Sequence, residues 1–137
     1  MIKVLIVDDI PETRDHLSRL LGLERELEVA GTAGSGEEAI RVAMELRPDV
    51  IVTDISMPGL NGLEAVARLK AARAEVKIIV LTIHADAAVV AEAIRSGASG
   101  FVAKMSVGDD LEIAIGEVLQ GRVYLSPDIV KDLVSLL

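Results

Sequence analysis

Four apolar runs of this chain each end on a side chain that can do chemistry. Val4-Leu5-Ile6-Val7 leads into Asp8-Asp9, and Val50-Ile51-Val52-Thr53 into Asp54. Ile78-Ile79-Val80-Leu81 leads into Thr82, and Phe101-Val102-Ala103 into Lys104. If these runs are parallel strands of one sheet, the polar groups gather beyond the carboxyl ends of the strands, where open α/β sheets place ligands. Three carboxylates, one hydroxyl and one ammonium in a single crevice make a site for a divalent metal and a phosphoryl group. Carboxylates about 5 Å apart repel by roughly 3 kcal/mol per pair at an effective dielectric near 20. Lys104 offsets part of that repulsion. A hard cation with oxygen ligands offsets more, and Mg²⁺ is the usual one beside phosphate. Asp54 is the candidate nucleophile, because a carboxylate can attack phosphorus and hold the group as an acyl phosphate. Lys104 and the metal neutralise charge on the transferring oxygens, and the Thr82 hydroxyl can bond one of them.

The segments between these runs must position them. Strands are expected over 3–7, 28–32, 49–53, 77–82 and 98–103, near-continuously apolar as in a sheet buried on both faces. The second alternates, as an edge strand does. Pro11 suits a first helical position, with Thr13, Leu17, Leu20, Leu21 and Glu24 on one stripe. Ser35 caps a second helix with Glu37-Glu38 in its first turn, and Ile40, Ala43 and Met44 face the core. Asn61 caps a third helix carrying Leu63, Val66, Ala67 and Leu69. Asp86 caps a fourth ending at Gly97, and Asp109-Asp110 open a fifth that stops at Gly121. Strict alternation of this kind implies a doubly wound parallel (βα)5 sheet with helices on both faces. After Gly121, Ser126-Pro127-Asp128 starts a helix with Ile129, Val130, Leu133, Val134 and Leu137 on one side. We read 1–121 as one domain and 122–137 as a linker helix toward a further C-terminal domain. A terminal helix packed back on the domain is the alternative.

Composition removes several function classes. The chain has no cysteine, which excludes disulfides and thiolate metal sites and fits a cytoplasmic protein. The net charge of −8 argues against this chain gripping nucleic acid by itself. Phe101 and Tyr124 are the only aromatic residues, too few for stacking on bases or a flavin ring. No uncharged apolar run approaches the roughly 20 residues of a membrane span, and the start lacks the pattern of a secretory signal. No Gly-x-Gly-x-x-Gly follows the first strand. Gly31-Thr32-Ala33-Gly34-Ser35-Gly36 lacks a P-loop ending and reads as a turn. Met57-Pro58-Gly59-Leu60-Asn61-Gly62 is a tight loop beside Asp54. His16 reads as a solvated helix residue, and His84 borders the site. The helix over 86–96 has almost no polar face, so it is either buried all round or meets a partner, with Ile113 as a candidate dimer contact; a few exposed aliphatics with no role are the alternative.

Asp8-Asp9, Thr53-Asp54-Ile55-Ser56-Met57-Pro58-Gly59-Leu60-Asn61-Gly62, Leu81-Thr82 and Gly100-Phe101-Val102-Ala103-Lys104 together resemble a CheY-like response-regulator receiver domain. Leu81-Thr82-Ile83-His84 and Gly121-Arg122-Val123-Tyr124-Leu125-Ser126-Pro127 are similar to NarL/LuxR-type transcriptional regulators. The resemblance implies a flavodoxin-like fold with strand order 2-1-3-4-5. It implies that Asp54 accepts phosphate from a sensor histidine kinase. Asp9 and Asp54, with the Ser56 carbonyl, would hold Mg²⁺ directly, and Asp8 through water. Thr82 and Lys104 would hold the phosphoryl group. Phe101 matches an aromatic switch position that turns inward when Thr82 moves toward the phosphate. The output would be transcription through a helix-turn-helix domain that is not in this chain, so DNA is a partner only through that domain. Such a protein is a phosphoacceptor switch rather than an enzyme with an external substrate. A stand-alone interaction module without DNA output is the alternative. Haloacid-dehalogenase-like phosphatases would want an Asp-x-Asp motif that is missing. Met105 stands where many receivers carry a cis proline, and a trans Lys104-Met105 bond is expected.

Overall fold

The computed structural model describes residues 1–55, 62–83 and 86–135. Six strands alternate with helices: β1 (Ile2–Val7), α1 (Pro11–Gly22), β2 (Leu27–Ala33), α2 (Gly36–Leu46), β3 (Val50–Asp54), α3 (Gly62–Ala72), β4 (Lys77–Thr82), α4 (Ala87–Ser96), β5 (Gly100–Ala103), a 3-10 turn (Lys104–Ser106), α5 (Val107–Leu119), β6 (Tyr124–Leu125) and α6 (Pro127–Val134). All pairings are parallel, in the order β2-β1-β3-β4-β5-β6. This is the expected flavodoxin-like sheet with one added strand at the β5 edge.

Strand alternation divides the core into two layers. Leu5, Val7, Ile51, Ile78, Val80 and Phe101 pack toward α2, α3, α4 and α6. Val4, Ile6, Val50, Val52, Ile79, Leu81 and Val102 pack toward Leu17 and Leu21 of α1 and Leu111, Ile115 and Val118 of α5. β1, β3 and β4 are buried along nearly their whole length, while β2 is half-exposed at the edge.

Helix starts follow their sequence signals. Pro11 occupies the first turn of α1. Ser35 Oγ accepts from Glu38 N at 3.1 Å, and Asp86 Oδ1 accepts from Ala88 N at 2.8 Å. Two stripe assignments are corrected. Met44 is exposed, because α2 turns Ala39 and Ala43 inward and Met44 lies a further 100° round the helix. Ala67 is likewise exposed, and Ala65 takes the inward place beside Val66 and Leu69. The Gly31–Gly36 turn is shorter than expected, since β2 continues to Ala33. Gly31 sits within that strand, where a Cβ would come 2.5 Å from Leu46 Cδ1, so its bare backbone lets α2 close over the sheet edge. The expected Asn61 cap lies outside the described residues.

Beyond Gly121, Tyr124 and Leu125 pair with Gly100 and Phe101. Ile129 is fully buried against the same layer as Phe101 and Ala103, and Leu133 packs partly against it. Val130 and Val134, expected on the same stripe, are exposed.

Candidate phosphoacceptor site

Register brings the polar groups to one end of the sheet. Asp8, Asp54 and Lys104 each continue the alternation of a strand whose preceding even-numbered side chains face α1 and α5. One carboxylate oxygen each from Asp8, Asp9 and Asp54 all lie within 4.8 Å of one another. Lys104 Nζ donates to Asp54 Oδ2 at 2.7 Å and lies 3.7 Å from Asp8 Oδ2. Asp8 and Asp54 are buried, while Asp9 and Lys104 are half-exposed at the mouth.

The Asp8-Asp9 turn is held by backbone contacts. Asp8 N donates to Ala33 O at 3.0 Å, extending the β1–β2 ladder. Asp8 Oδ1 accepts from Ile10 N at 2.9 Å, and Arg14 Nη1 donates to Asp8 O at 2.6 Å. Arg14 went unnoticed in the sequence reading. Its signal was a basic residue in the first turn of a helix, where the dipole disfavours a cation unless it finds a local acceptor.

Burial, with the Asp54 and Asp9 charges, lifts the Asp8 carboxyl above its ordinary value against the opposing pull of the Ile10 N–H and Lys104. Burial also disfavours the Lys104 ammonium. Its hydrogen bond and attraction to Asp54, and then Asp8, outweigh that and raise its pKa. Asp8 Oδ2 is buried with no hydrogen-bond donor. An unsatisfied carboxylate oxygen amid two further acids, with only oxygen donors, suits a hard divalent cation. Asp8, Asp9 and Asp54 therefore fit Mg²⁺. Ser56 and His84 lie outside the described residues.

Thr82 is half-buried at the end of β4, where its neighbour Leu81 is the register partner of Asp54. By alternation its strand neighbours Ile78 and Val80 face the other layer of the core. Phe101 is already inward, with its side chain fully buried. The Lys104-Met105 bond is trans, as expected, and Met105 is exposed. A recess of about 540 Å³ lies between Glu24, Glu26 and Glu112 at the amino ends of the strands, away from these acids.

Gly62 lets the start of α3 close on the residue after Asp54. A Cβ there would run into the Ile55 carbonyl. Gly62→Ala is expected to destabilise the fold by about 1–3 kcal/mol, the usual cost of forcing atoms into a packed position. Thermal denaturation reads this directly, and an unchanged midpoint would show that the backbone opens there freely.

Residues 4–116 match the family model described as the response regulator receiver domain. The chain is 36% identical over 133 residues to the response regulator GacA of Pseudomonas aeruginosa, covering 97% of this chain and 62% of that protein. It is 38% identical over 135 residues to the transcriptional regulatory protein LnrK of Bacillus subtilis, covering 98% and 61%. The chain thus spans about three-fifths of the length of these curated relatives. Among solved structures, a LuxR-family two-component response regulator from Aurantimonas sp. SI85-9A1 aligns with a TM-score of 0.91 and 33% identity, covering 97% of this chain and 95% of that one. The response regulator domain of Thermotoga maritima CheB aligns at 0.81 and 33%, covering 88% and 97%. The chain belongs to the response-regulator receiver family of two-component systems, in its NarL/LuxR-type branch.

Proposed function

We propose that this chain is a phosphoacceptor switch in which Asp54 takes a phosphoryl group from the phosphohistidine of a sensor kinase. The observation that carries this reading is the Asp54 carboxylate, buried, 2.7 Å from Lys104 Nζ and gathered with Asp8 and Asp9. An Asp54 oxygen attacks phosphorus, the P–N bond breaks, and the imidazole leaves with the electron pair. The acyl phosphate that forms carries the negative charge and acceptor oxygens that bias the fold. Lys104 exchanges its bond to the free carboxylate for one to a phosphoryl oxygen. Thr82 donates its hydroxyl to another. Asp9 and Asp54, with the Ser56 carbonyl, would hold Mg²⁺ directly and Asp8 would hold it through water; the ion would supply charge neutralisation at the phosphoryl oxygens.

The matched relatives named as transcriptional regulators are longer than this chain. We place transcriptional output in a further C-terminal domain, with 122–137 as its linker. Val89 and Ile94 on α4 and Ile113 on α5 are exposed and supply the apolar surface a homodimer would use. Among the described residues, no helix is long and apolar enough to cross a membrane.

The test is intact-mass measurement after treatment with acetyl phosphate and Mg²⁺. The parent chain gains one phosphoryl group, and Asp54→Ala gains none. No gain by the parent, or equal gain by the variant, would sink the reading.

A further inference from the structure

The backbone places Lys104 as much as its own stem does. β5 is only four residues long, yet the residue that follows it must hold an ammonium against Asp54. The outer edge of β5 is fixed by chain from some twenty-five residues further on. Tyr124 N donates to Ser99 O at 2.9 Å, and Ser126 N to Phe101 O at 2.9 Å. In a parallel ladder the next rung would join Ala103 N to the carbonyl of residue 126. That carbonyl accepts instead from Val130 N at 3.0 Å in the first turn of α6. Ser126 Oγ takes its place and accepts from Ala103 N at 3.1 Å. On the other side of Lys104, Ser106 Oγ donates to Asp128 Oδ2. The Lys104–Ser106 turn is therefore bracketed by bonds to the first residues of α6. Ser126 is fully buried, and Ile129 anchors the helix beside Ala103.

We propose that Ser126 and Asp128 are positioning residues for the chemistry of Asp54, acting through Lys104. The start of α6 is then part of the phosphoacceptor site, and a phosphoryl analogue bound at Asp54 in turn alters the local opening of α6, because the binding and opening free energies of two coupled sites are linked reciprocally. This rests on the function proposed above and adds the residues that tie the site to the C-terminal helix.

A double-mutant cycle on the rate of phosphoryl uptake from acetyl phosphate and Mg²⁺ tests it. Ser126→Ala and Asp128→Ala each lower the rate by about fivefold in the parent background, within the range found for coupled neighbours. In a Lys104→Ala background neither changes it. Ser126→Thr keeps the hydroxyl and restores the rate. A second readout needs no variant: amide hydrogen exchange over 129–134 changes when Mg²⁺ and beryllofluoride are added to the parent chain. Equal losses in both backgrounds would assign the two residues a purely structural part and overturn the inference. So would normal rates in both variants, Ser126→Thr as slow as Ser126→Ala, or exchange in α6 indifferent to beryllofluoride. Any of these results, with normal uptake by the parent, removes this inference alone. A parent chain that takes up no phosphoryl group removes the proposed function and this inference together.

Discussion

In the presence of a chelator, Asp8→Asn melts at a higher temperature than the parent chain, while its Mg²⁺-dependent phosphoryl uptake falls by about a hundredfold. Both effects follow from one carboxylate. Asp8 has no exposed surface, has acids on two sides, and has one oxygen without a donor. Burial disfavours its charge, and its pKa in the fold is accordingly raised. Asparagine keeps an oxygen for the Ile10 N–H and removes the charge, so the apo fold gains about 1–2 kcal/mol, the increment typical of relieving a strained functional site. The same change deletes a cation ligand. The pH dependence has a definite sign. Between 3.8, the unfolded value, and the raised folded value, the native state binds more protons than the unfolded chain, so stability falls as pH rises through that window. The advantage of Asp8→Asn is therefore full above the folded pKa of Asp8 and shrinks on acidification through it. Melting curves in EDTA across that range check this. A variant less stable than its parent above that range would refute the account.

The same tension explains what was legible in the sequence. Asp8, Asp9, Asp54 and Lys104 stood out because each follows a buried apolar strand, and buried strands announce themselves by unbroken β-branched runs. Once the five strands are parallel, alternation and register do the gathering. Thr82 was legible in position, at the end of β4 beside the register partner of Asp54. Phe101 was expected to turn inward only on switching, but β5 and the packing of Ile129 already bury it. β6 could not be read, because two residues carry no periodicity and their partners lie more than twenty positions away. Ser126 looked like an ordinary helix cap. It makes no cap bond, and its hydroxyl serves a strand instead. Such bonds to backbone atoms distant in sequence leave no local pattern. Met44 and Ala67 were misplaced for a different reason. Both lie next to buried positions, and an apolar residue at the margin of a helix stripe can face either way.

Lys104→Met should produce the largest loss of stability among these substitutions, and Mg²⁺ should repair much of it. Methionine keeps an apolar stem of similar length and removes the ammonium that lies 2.7 Å from Asp54 and 3.7 Å from Asp8. Removing one partner of a buried pair leaves uncompensated charge, at a cost of about 3–5 kcal/mol when the pair is fully buried. The Lys104 side chain retains 22% of its exposure, so solvent screens part of that, and a loss of about 2–3 kcal/mol is expected in chelator. The raised pKa of Lys104 carries the same sign. Its contribution is fully present below the unfolded value of 10.5 and is lost as pH rises through the folded value above it, so the parent loses more stability in strong alkali than the variant, which lacks that contribution. Lysine and metal relieve the same repulsion from different sides, and the ammonium disfavours a second cation beside it. Mg²⁺ therefore raises the melting temperature of Lys104→Met by more than it raises that of the parent, even though the variant takes up phosphoryl groups more slowly. Titrations of both proteins with Mg²⁺ decide the point. If the increment were equal in the two, the three acids and Lys104 would not share one electrostatic balance, and the assignment of this crevice as a metal-assisted phosphoacceptor site would lose its physical basis.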